Sequence, residues 1–345
     1  MNLKTLSEHL KLSQTTVSRA LNGYPEVSEK TRMRVQQAAQ ELNYSPNARA
    51  KGLATGRAQT IGHVIPVSTQ HEMVNPVFGD FIAGAGSAYA AAGFEMMISL
   101  VDDKSQEKLY RDICARRNVD GIIVHGPTMD DPRIALLSEL NMPFVVHGRA
   151  SNIDLPYSWL DTNNSRAFQR ATEFLLDLGH TRIALMNGLE FMDYANRRRL
   201  AYEGALTGRG IALDGDLMCS KEMTEIKGFL SASAMLKLES PPTAFLTSSM
   251  ITAIGVRRAI HDAGLTLGKD VSVITHDDDL GYLKNGHDVP IFTATRSSVR
   301  EAGIRAGEIL LRLIRDPSAG PIHEIIEAEL IIGASTGPAP RRQNA

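Results

Sequence analysis

The sequence predicts an all-α head of short helices with a helix-turn-helix pattern, followed by an α/β body of two lobes, each on a doubly wound parallel sheet. Three observations carry this. Apolar residues recur at helical spacing, with capping residues, from Leu3 to Leu42. Beyond Arg57 short apolar strands alternate with helical stretches. That alternation then restarts near Ser165, so the lobes are expected in tandem.

In the head, Leu3, Leu6 and Leu10 mark a first amphipathic helix. Ser13 can cap a second helix over Gln14 to Leu21, with Val17 and Leu21 facing inward. Asn22-Gly23-Tyr24-Pro25 reads as a turn, and Ser28 can cap a third helix whose buried stripe is Val35, Ala38, Ala39 and Leu42. If the second helix enters a major groove, its first residues meet base edges. Those are Gln14, Thr15 and Thr16, with Ser18 and Arg19 one turn on. Gln can pair with adenine and Arg with guanine, and a Thr methyl can touch a thymine methyl. After Pro46, Asn47 can cap a brief helix to Ala54, too short to be stable alone and suited to folding on DNA. The boundaries expected are a head at 1–45, a hinge at 46–58 and a body at 59–340.

In the body, strands are expected at Ile61–Val67, Phe94–Leu100, Gly121–His125 and Pro143–His147, with helices at Phe78–Ala92, Ser105–Arg117 and Arg133–Leu140 between them. The second run has helices at Ser165–Leu178, Tyr194–Arg209, Ile226–Leu238 and Thr252–Ala263. Its strands are Arg182–Asn187, Leu217–Cys219, Thr243–Thr247 and Val271–Thr275. Open parallel sheets bind ligands outside the carboxyl ends of their strands, so a small molecule is expected in the cleft between the lobes.

Charge supports a division of labour. Up to Arg57 nine basic residues face four acidic ones, a net of +5, which leaves −7 of the total −2 for the rest. A basic end on an acidic body is the footprint of nucleic-acid contact confined to one end. No apolar run is long enough to span a bilayer, and no secretory h-region stands at the start. Cys114 and Cys219 lie far apart without metal-ligand spacing, which fits a reduced, cytoplasmic protein. There is no G-x-S-x-G elbow, P-loop or H-E-x-x-H, so no enzyme, cofactor or metal is expected. Asp277–Asp279 lack clustered His or Glu, and Gly84 and Gly86 sit within a helical stretch, where they allow close packing.

Residues 3–57 resemble the head and hinge of the LacI/GalR family of bacterial transcription regulators. The carrying residues are Ser13, Thr16-Val17-Ser18-Arg19, Asn22, Val27-Ser28, Thr31, Val35, Leu42-Asn43-Tyr44, Pro46-Asn47-Ala48 and Leu53-Ala54. The resemblance continues to about Thr336 through Asn75-Pro76, Leu178-Gly179-His180, Arg198 four residues before Tyr202, Asp270–Ile274, Asp277-Asp278 and Ala334-Ser335-Thr336. It implies a body like the periplasmic sugar-binding proteins. It also implies that Gln14, Thr15 and Arg19 read bases, and that Leu53 is a wedge pushed into the minor groove of a palindromic operator. Thr5, Ser13, Thr16, Ser18, Asn22, Ser28, Thr31, Tyr44, Asn47 and Ala50 complete the expected DNA-contacting set. One departure is Lys11, where the family usually has Gly in the first turn.

The same resemblance implies a homodimer, one head per half-site, and a sugar effector whose binding releases the DNA. Arg198 matches the arginine that holds effector oxygens, Asp277 the acceptor of sugar hydroxyls, and Asp161 the acidic residue near the strand between lobes. The first lobe offers His71, Asn75, Phe78, His125 and Arg149, and Trp159 either stacks on a sugar or packs in the core. Ser249-Met250 stands where the family often has Asn-Asp, Thr162 replaces the usual Asn, and Arg296-Ser297 replaces the family's residues there. Apolar surface from Met250 or Phe191 would suit a larger or less polar sugar. Two rival readings are a regulator with a co-repressor such as a purine and a sugar-processing enzyme.

Overall fold

The computed structural model describes residues 2–44, 57–66 and 75–340. It separates into two compact units, residues 1–59 and 60–345. The hinge expectation, with Asn47, Ala50 and Leu53, and the effector candidate His71 lie outside the described residues.

The first unit holds α1 (Leu3–Leu10), α2 (Gln14–Leu21) and α3 (Glu29–Glu41). Each begins on a side-chain cap: Asn2, Ser13 and Ser28 accept from the backbone N–H groups of Thr5, Thr16 and Thr31. Leu6, Leu10, Val17, Val35, Ala38 and Ala39 form the core as the helical spacing predicts, but in α2 it is Ala20 that is buried beside Val17, while the expected Leu21 packs half-buried at the edge with Leu3 and Leu42. Lys11 closes α1 in the left-handed conformation, φ 54° and ψ 40°, which explains the family's usual glycine there. Gly23 in the following turn has φ +74°.

The second unit has two six-stranded sheets. The N-lobe runs β1 (Thr60–Pro66), α4 (Pro76–Ala91), β2 (Glu95–Val101), α5 (Gln106–Arg116), β3 (Gly121–His125), α6 (Pro132–Glu139), β4 (Phe144–His147) and β5 (Ser158–Thr162). The C-lobe runs α7 (Asn164–Asp177), β6 (Ile183–Asn187), α8 (Asp193–Gly208), β7 (Met218–Ser220), α9 (Glu225–Met235), β8 (Ala244–Thr247), α10 (Met250–Asp262), β9 (Ser272–Asp277) and β10 (Thr293–Arg296). The chain ends with α11 (Val299–Arg315), β11 (His323–Ile326) and β12 (Glu329–Ile331). Strand order is β11-β5-β4-β3-β1-β2 in one sheet and β12-β10-β9-β8-β6-β7 in the other. All pairs are parallel except β10 with β12.

The central strands β1, β3, β4, β6, β8 and β9 are buried on both faces, as covered parallel strands must be, while the edge strands β2, β7, β11 and β12 are largely half-buried or exposed. Ile123 points into one core, with Ile61, Phe81 and Leu310, while its neighbours Ile122 and Val124 point into the other, with Tyr110 and Ile134. The C-lobe repeats this, with Leu185, Leu246 and Ile274 on one face and Phe245 and Val273 on the other.

The tandem arrangement expected of the lobes is corrected. The chain leaves the N-lobe after β5, and α11 returns to pack on α4 and on β3, β4 and β5. Next β11 pairs with β5, and β12 joins the C-lobe sheet beside β10. Among the described residues the lobes are thus joined by three chain crossings, at Asn163, at Ser297-Ser298 and at Glu327-Ala328. Asn163 donates to Glu327 Oε1 at 2.8 Å, which ties two of the crossings side by side.

Glycines permit the closest helix contacts. A Cβ at Gly84 of α4 would collide with the carbonyl oxygen of Arg300 in α11, and one at Gly303 with that of Phe81. Gly228 of α9 and Gly255 of α10 face Thr252 and Glu225 in the same way. Of the two glycines in Gly84-Ala85-Gly86, only Gly84 is held at such a contact.

Candidate functional site

On the head, α2 presents Gln14, Thr15 and Arg19 exposed, and among the described residues none of their side chains has a hydrogen-bond or ion-pair partner. Ser13, Thr16, Ser28, Thr31 and Thr5 are engaged at caps: Ser13 Oγ lies 2.8 Å from Thr16 Oγ1, Ser28 Oγ lies 2.9 Å from Thr31 Oγ1, and Thr5 Oγ1 donates to Asn2. Asn22 donates to the Ser18 carbonyl at 2.9 Å, and Tyr44 packs against the head core. Arg34 donates to the Leu10 carbonyl, and Arg32 to those of Tyr24 and Val27. The exposed, uncommitted polar groups of α2 are therefore Gln14, Thr15 and Arg19.

In the second unit a cleft of about 1430 Å³ opens between the carboxyl ends of the strands of both sheets. Ile65, His125, His147 and Asp161 come from strands of the N-lobe, with Asn75 and Phe78 from the start of α4. Gly188, Phe191, Tyr194, Arg198, Ser248, His276 and Asp278 come from the C-lobe, with Asn164 at the start of α7.

The run Arg197–Arg199 shows how α8 places its side chains. Successive helical residues point about 100° apart, so the three arginines have three environments. Arg199 pairs with Glu190 and Glu203, at 3.2 and 3.5 Å. Arg197 binds Asp193 and donates to Ser151 Oγ at 3.0 Å. Arg198 is buried at the cleft wall over the Phe168 and Tyr194 rings, 4.7 and 5.0 Å from their centroids. Its Nε donates to Asn164 Oδ1 at 2.7 Å and its Nη1 to the Ser248 carbonyl at 2.8 Å. Nη2 has no partner among the described residues, which leaves a fixed donor beside the cleft. Burial pulls the guanidinium below its usual range, against Tyr194, Asp278 and Asp161.

Asp161 is buried, and burial raises its carboxyl above the ordinary range even though Arg149 Nε donates to it at 2.8 Å. Its other oxygen accepts from Asn164 at 3.3 Å. Asp278 stands 3.5 Å from His276 Nε2, whose ring is buried and whose Nδ1 lies 3.1 Å from Thr295 Oγ1. A chain of rings floors the N-lobe side: His63 contacts His125, His147 stacks on Phe81 at 4.2 Å, and Phe78 meets His125 edge-on at 5.2 Å. Burial lowers His63 to about 3 and His147 to about 4, the latter against the pull of Asp278. Burial and the neighbouring His63, His147 and Arg133 push His125 well down too.

The residues expected from sequence divide clearly. Asn75, Phe78, His125, Asp161 and Arg198 line the cleft. Arg149 is not at the wall but behind it, bound to Asp161 and 4.9 Å over the Trp159 ring. Trp159 stacks on His323 at 4.8 Å, so packing accounts for it. Asp277 is buried and accepts from the Asp279 N–H, so of Asp277 and Asp278 it is Asp278 that lines the cleft. Ser249 is the buried cap of α10, and its neighbour Ser248 lines the cleft. Met250 is in the C-lobe core, whereas Phe191 does line the cleft. Asn164, His147 and Tyr194 were missed; each stands within two residues of a strand or helix end, the one signal that could have drawn attention to them.

A helix-turn-helix unit with an exposed polar face on its second helix and a bilobed cleft in one chain define a ligand-responsive DNA-binding regulator. A family described as "Bacterial regulatory proteins, lacI family" matches residues 10–47, and "Periplasmic binding proteins and sugar binding domain of LacI family" matches residues 58–332. The chain belongs to the LacI family of bacterial transcription regulators. It is 44% identical over 343 residues to the HTH-type transcriptional regulator AglR of Rhizobium meliloti (strain 1021), covering 99% of this chain and 96% of that one. It is 32% identical over 278 residues to the HTH-type transcriptional regulator RafR of Escherichia coli, covering 80% and 82%. A lac repressor dimer solved with operator and an anti-inducer superposes with a TM-score of 0.85 at 25% identity, covering 98% of this chain and 99% of that one. No helix among the described residues is long and apolar enough to cross a membrane.

Proposed function

We propose that the protein is a cytoplasmic homodimer that represses genes of carbohydrate uptake or catabolism and leaves a palindromic operator when a mono- or disaccharide enters the cleft. The observation that carries this is the cleft's chemistry. It sets the free donor of Arg198, the carboxylate of Asp278 and the amide of Asn164 among apolar and aromatic surfaces such as Phe78 and Phe191. Donors and acceptors interleaved with flat apolar faces suit a neutral polyhydroxyl ring. On the DNA side Gln14, Thr15 and Arg19 read the half-site, and Leu53 supplies the wedge at its centre.

The test is fluorescence anisotropy of labelled operator DNA from upstream of neighbouring sugar-uptake genes, titrated with the protein, with and without a panel of mono- and disaccharides. The expected result is tight palindrome-specific binding, weakened roughly 5–150-fold by one sugar, the usual span of an allosteric coupling. Binding that no sugar changes but a purine strengthens would replace this reading with a co-repressor one. Failure to bind any DNA would overturn it.

A further inference from the structure

Beneath the cleft floor, Tyr89, His63 and His125 form a hydrogen-bonded chain running from the core to the ligand space. The Tyr89 hydroxyl lies 3.1 Å from His63 Nε2, and His63 Nδ1 lies 2.9 Å from His125 Nε2. Tyr89 and His63 are buried, at 1% and 0% exposure, while His125 lines the cleft. Among the described residues neither the Tyr89 hydroxyl, beyond His63, nor His125 Nδ1 has another hydrogen-bond partner.

Two neutral arrangements satisfy the distances. In one, Tyr89 donates to His63 Nε2, His63 Nδ1–H donates to His125 Nε2, and His125 carries its proton on Nδ1. In the other every bond reverses: His125 donates, His63 donates to the tyrosine oxygen, and His125 Nδ1 is a bare lone pair. The second strands the Tyr89 hydroxyl proton in the core with no acceptor, and an unmade buried hydrogen bond costs more than a made one contributes. A neutral imidazole has one donor and one acceptor nitrogen, so the choice passes intact from ring to ring. Arg133 reinforces a neutral His125 and holds its backbone by donating to the His125 carbonyl at 3.0 Å.

We propose that Tyr89 and His63 are positioning residues that lock His125 in the Nδ1–H tautomer, so that the N-lobe wall of the cleft offers a hydrogen-bond donor and selects a ligand oxygen that accepts there. Resting on the sugar-effector reading for its consequence, this narrows the ligand class. The group facing His125 is a hydroxyl, ring or glycosidic oxygen, or a carboxylate, and an ammonium or amide N–H is rejected at that position. Arg198 supplies a second donor from the opposite wall, so both walls carry fixed donors.

The tautomers are read on the full-length protein without any sugar, which separates this inference from the function proposed above. In long-range ¹H–¹⁵N imidazole correlation spectra at neutral pH, His125 and His63 are each expected to carry the proton on Nδ1, with the His125 signal identified by its loss in His125→Gln. A His125 protonated on Nε2 would overturn the proposal. In Tyr89→Phe, which keeps the ring packing, the His125 signal is expected to shift toward a mixture of tautomers. In His63→Gln, whose amide can accept from Tyr89 and donate to His125, the Nδ1–H form is expected to persist. An unchanged single tautomer in Tyr89→Phe would show that the tyrosine does not set it.

Discussion

A carboxylate oxygen of Asp193 accepts a hydrogen bond from the backbone N–H of Ser151 at 2.7 Å, joining the start of α8 in the C-lobe to the loop after β4 in the N-lobe. Arg197 braces the same junction by binding Asp193 and donating to Ser151 Oγ. Nearby, Asp193 N–H donates to the Pro127 carbonyl at 3.0 Å, and Thr128 and Met192 form an antiparallel bridge. Asp193 is 1% exposed, and among the described residues its carboxylate is met by the Ser151 N–H and Arg197. Asp193→Ala is expected to lower the stability of the body by about 3 kcal/mol, because it strands Arg197 and the Ser151 N–H at once. Urea unfolding followed by tryptophan fluorescence measures this, and an unchanged midpoint would show that the junction contributes nothing net.

Arg198→Ala is expected to leave operator affinity intact and weaken effector binding roughly 10–100-fold, the span of a lost charge-assisted hydrogen bond. The variant also deprives Asn164 and the Ser248 carbonyl of their donor, so the cleft wall loosens on both sides. Anisotropy with and without the releasing sugar separates the two effects. Normal release would remove Arg198 from the binding role.

In the head, Lys11→Gly is expected to stabilise the α1–α2 turn by about 1 kcal/mol, since a side chain at φ 54° carries a strain that glycine avoids. Amide exchange in α1 and α2 should slow by roughly fivefold. Faster exchange would mean that packing of the Lys11 side chain outweighs the backbone strain.

Acid should destabilise the body before it touches the carboxylates. His63, His125 and His147 are all lowered below the ordinary value by burial, His63 to about 3 and His147 to about 4. Above about pH 6.5 they are neutral in both folded and unfolded chains and make no difference. Below it the unfolded chain takes up protons that the folded one refuses, so stability falls as pH drops through that range. His63 faces Tyr89 and His125, His125 also faces His147 and Arg133, and His147 faces Asp278, which pulls its value up. Urea midpoints measured from pH 7.5 to 5 are expected to decline, and His63→Gln should make the decline shallower. A flat profile would rule out the buried neutral cluster.

The sequence carried the local structure well where one signal dominated. The α2 range, capped by Ser13, and the β3 range, a run of β-branched residues, are the same in both readings. It failed where contacts are long-range. The helical period of residues 299–315 marks an apolar face on α11 but not which lobe that face meets, and β11 and β12 have four and three residues with little alternation. The tandem expectation therefore ended the second lobe at β9. In the site, Asp277 and Asp278 differ by one position at a strand end, where a single step turns a side chain to the other face. Ser248 and Ser249 pose the same ambiguity beside a helix start, where the capping demand takes Ser249. Arg198 was singled out by likeness to the family, because its neighbours Arg197 and Arg199 conceal it in a charged run.

The order in which the chain is threaded constrains how it can be made. The N-lobe sheet receives β11, and one of its faces receives α11, only after the whole C-lobe sequence up to β10 has been laid down. A nascent chain emerging from the ribosome thus carries an N-lobe with Phe81, Ile123 and Val145 facing no helix where α11 will sit. Before that helix is made, each sheet already has five of its six strands, but only the C-lobe has all its covering helices, so it is the earlier-synthesised half that is completed last.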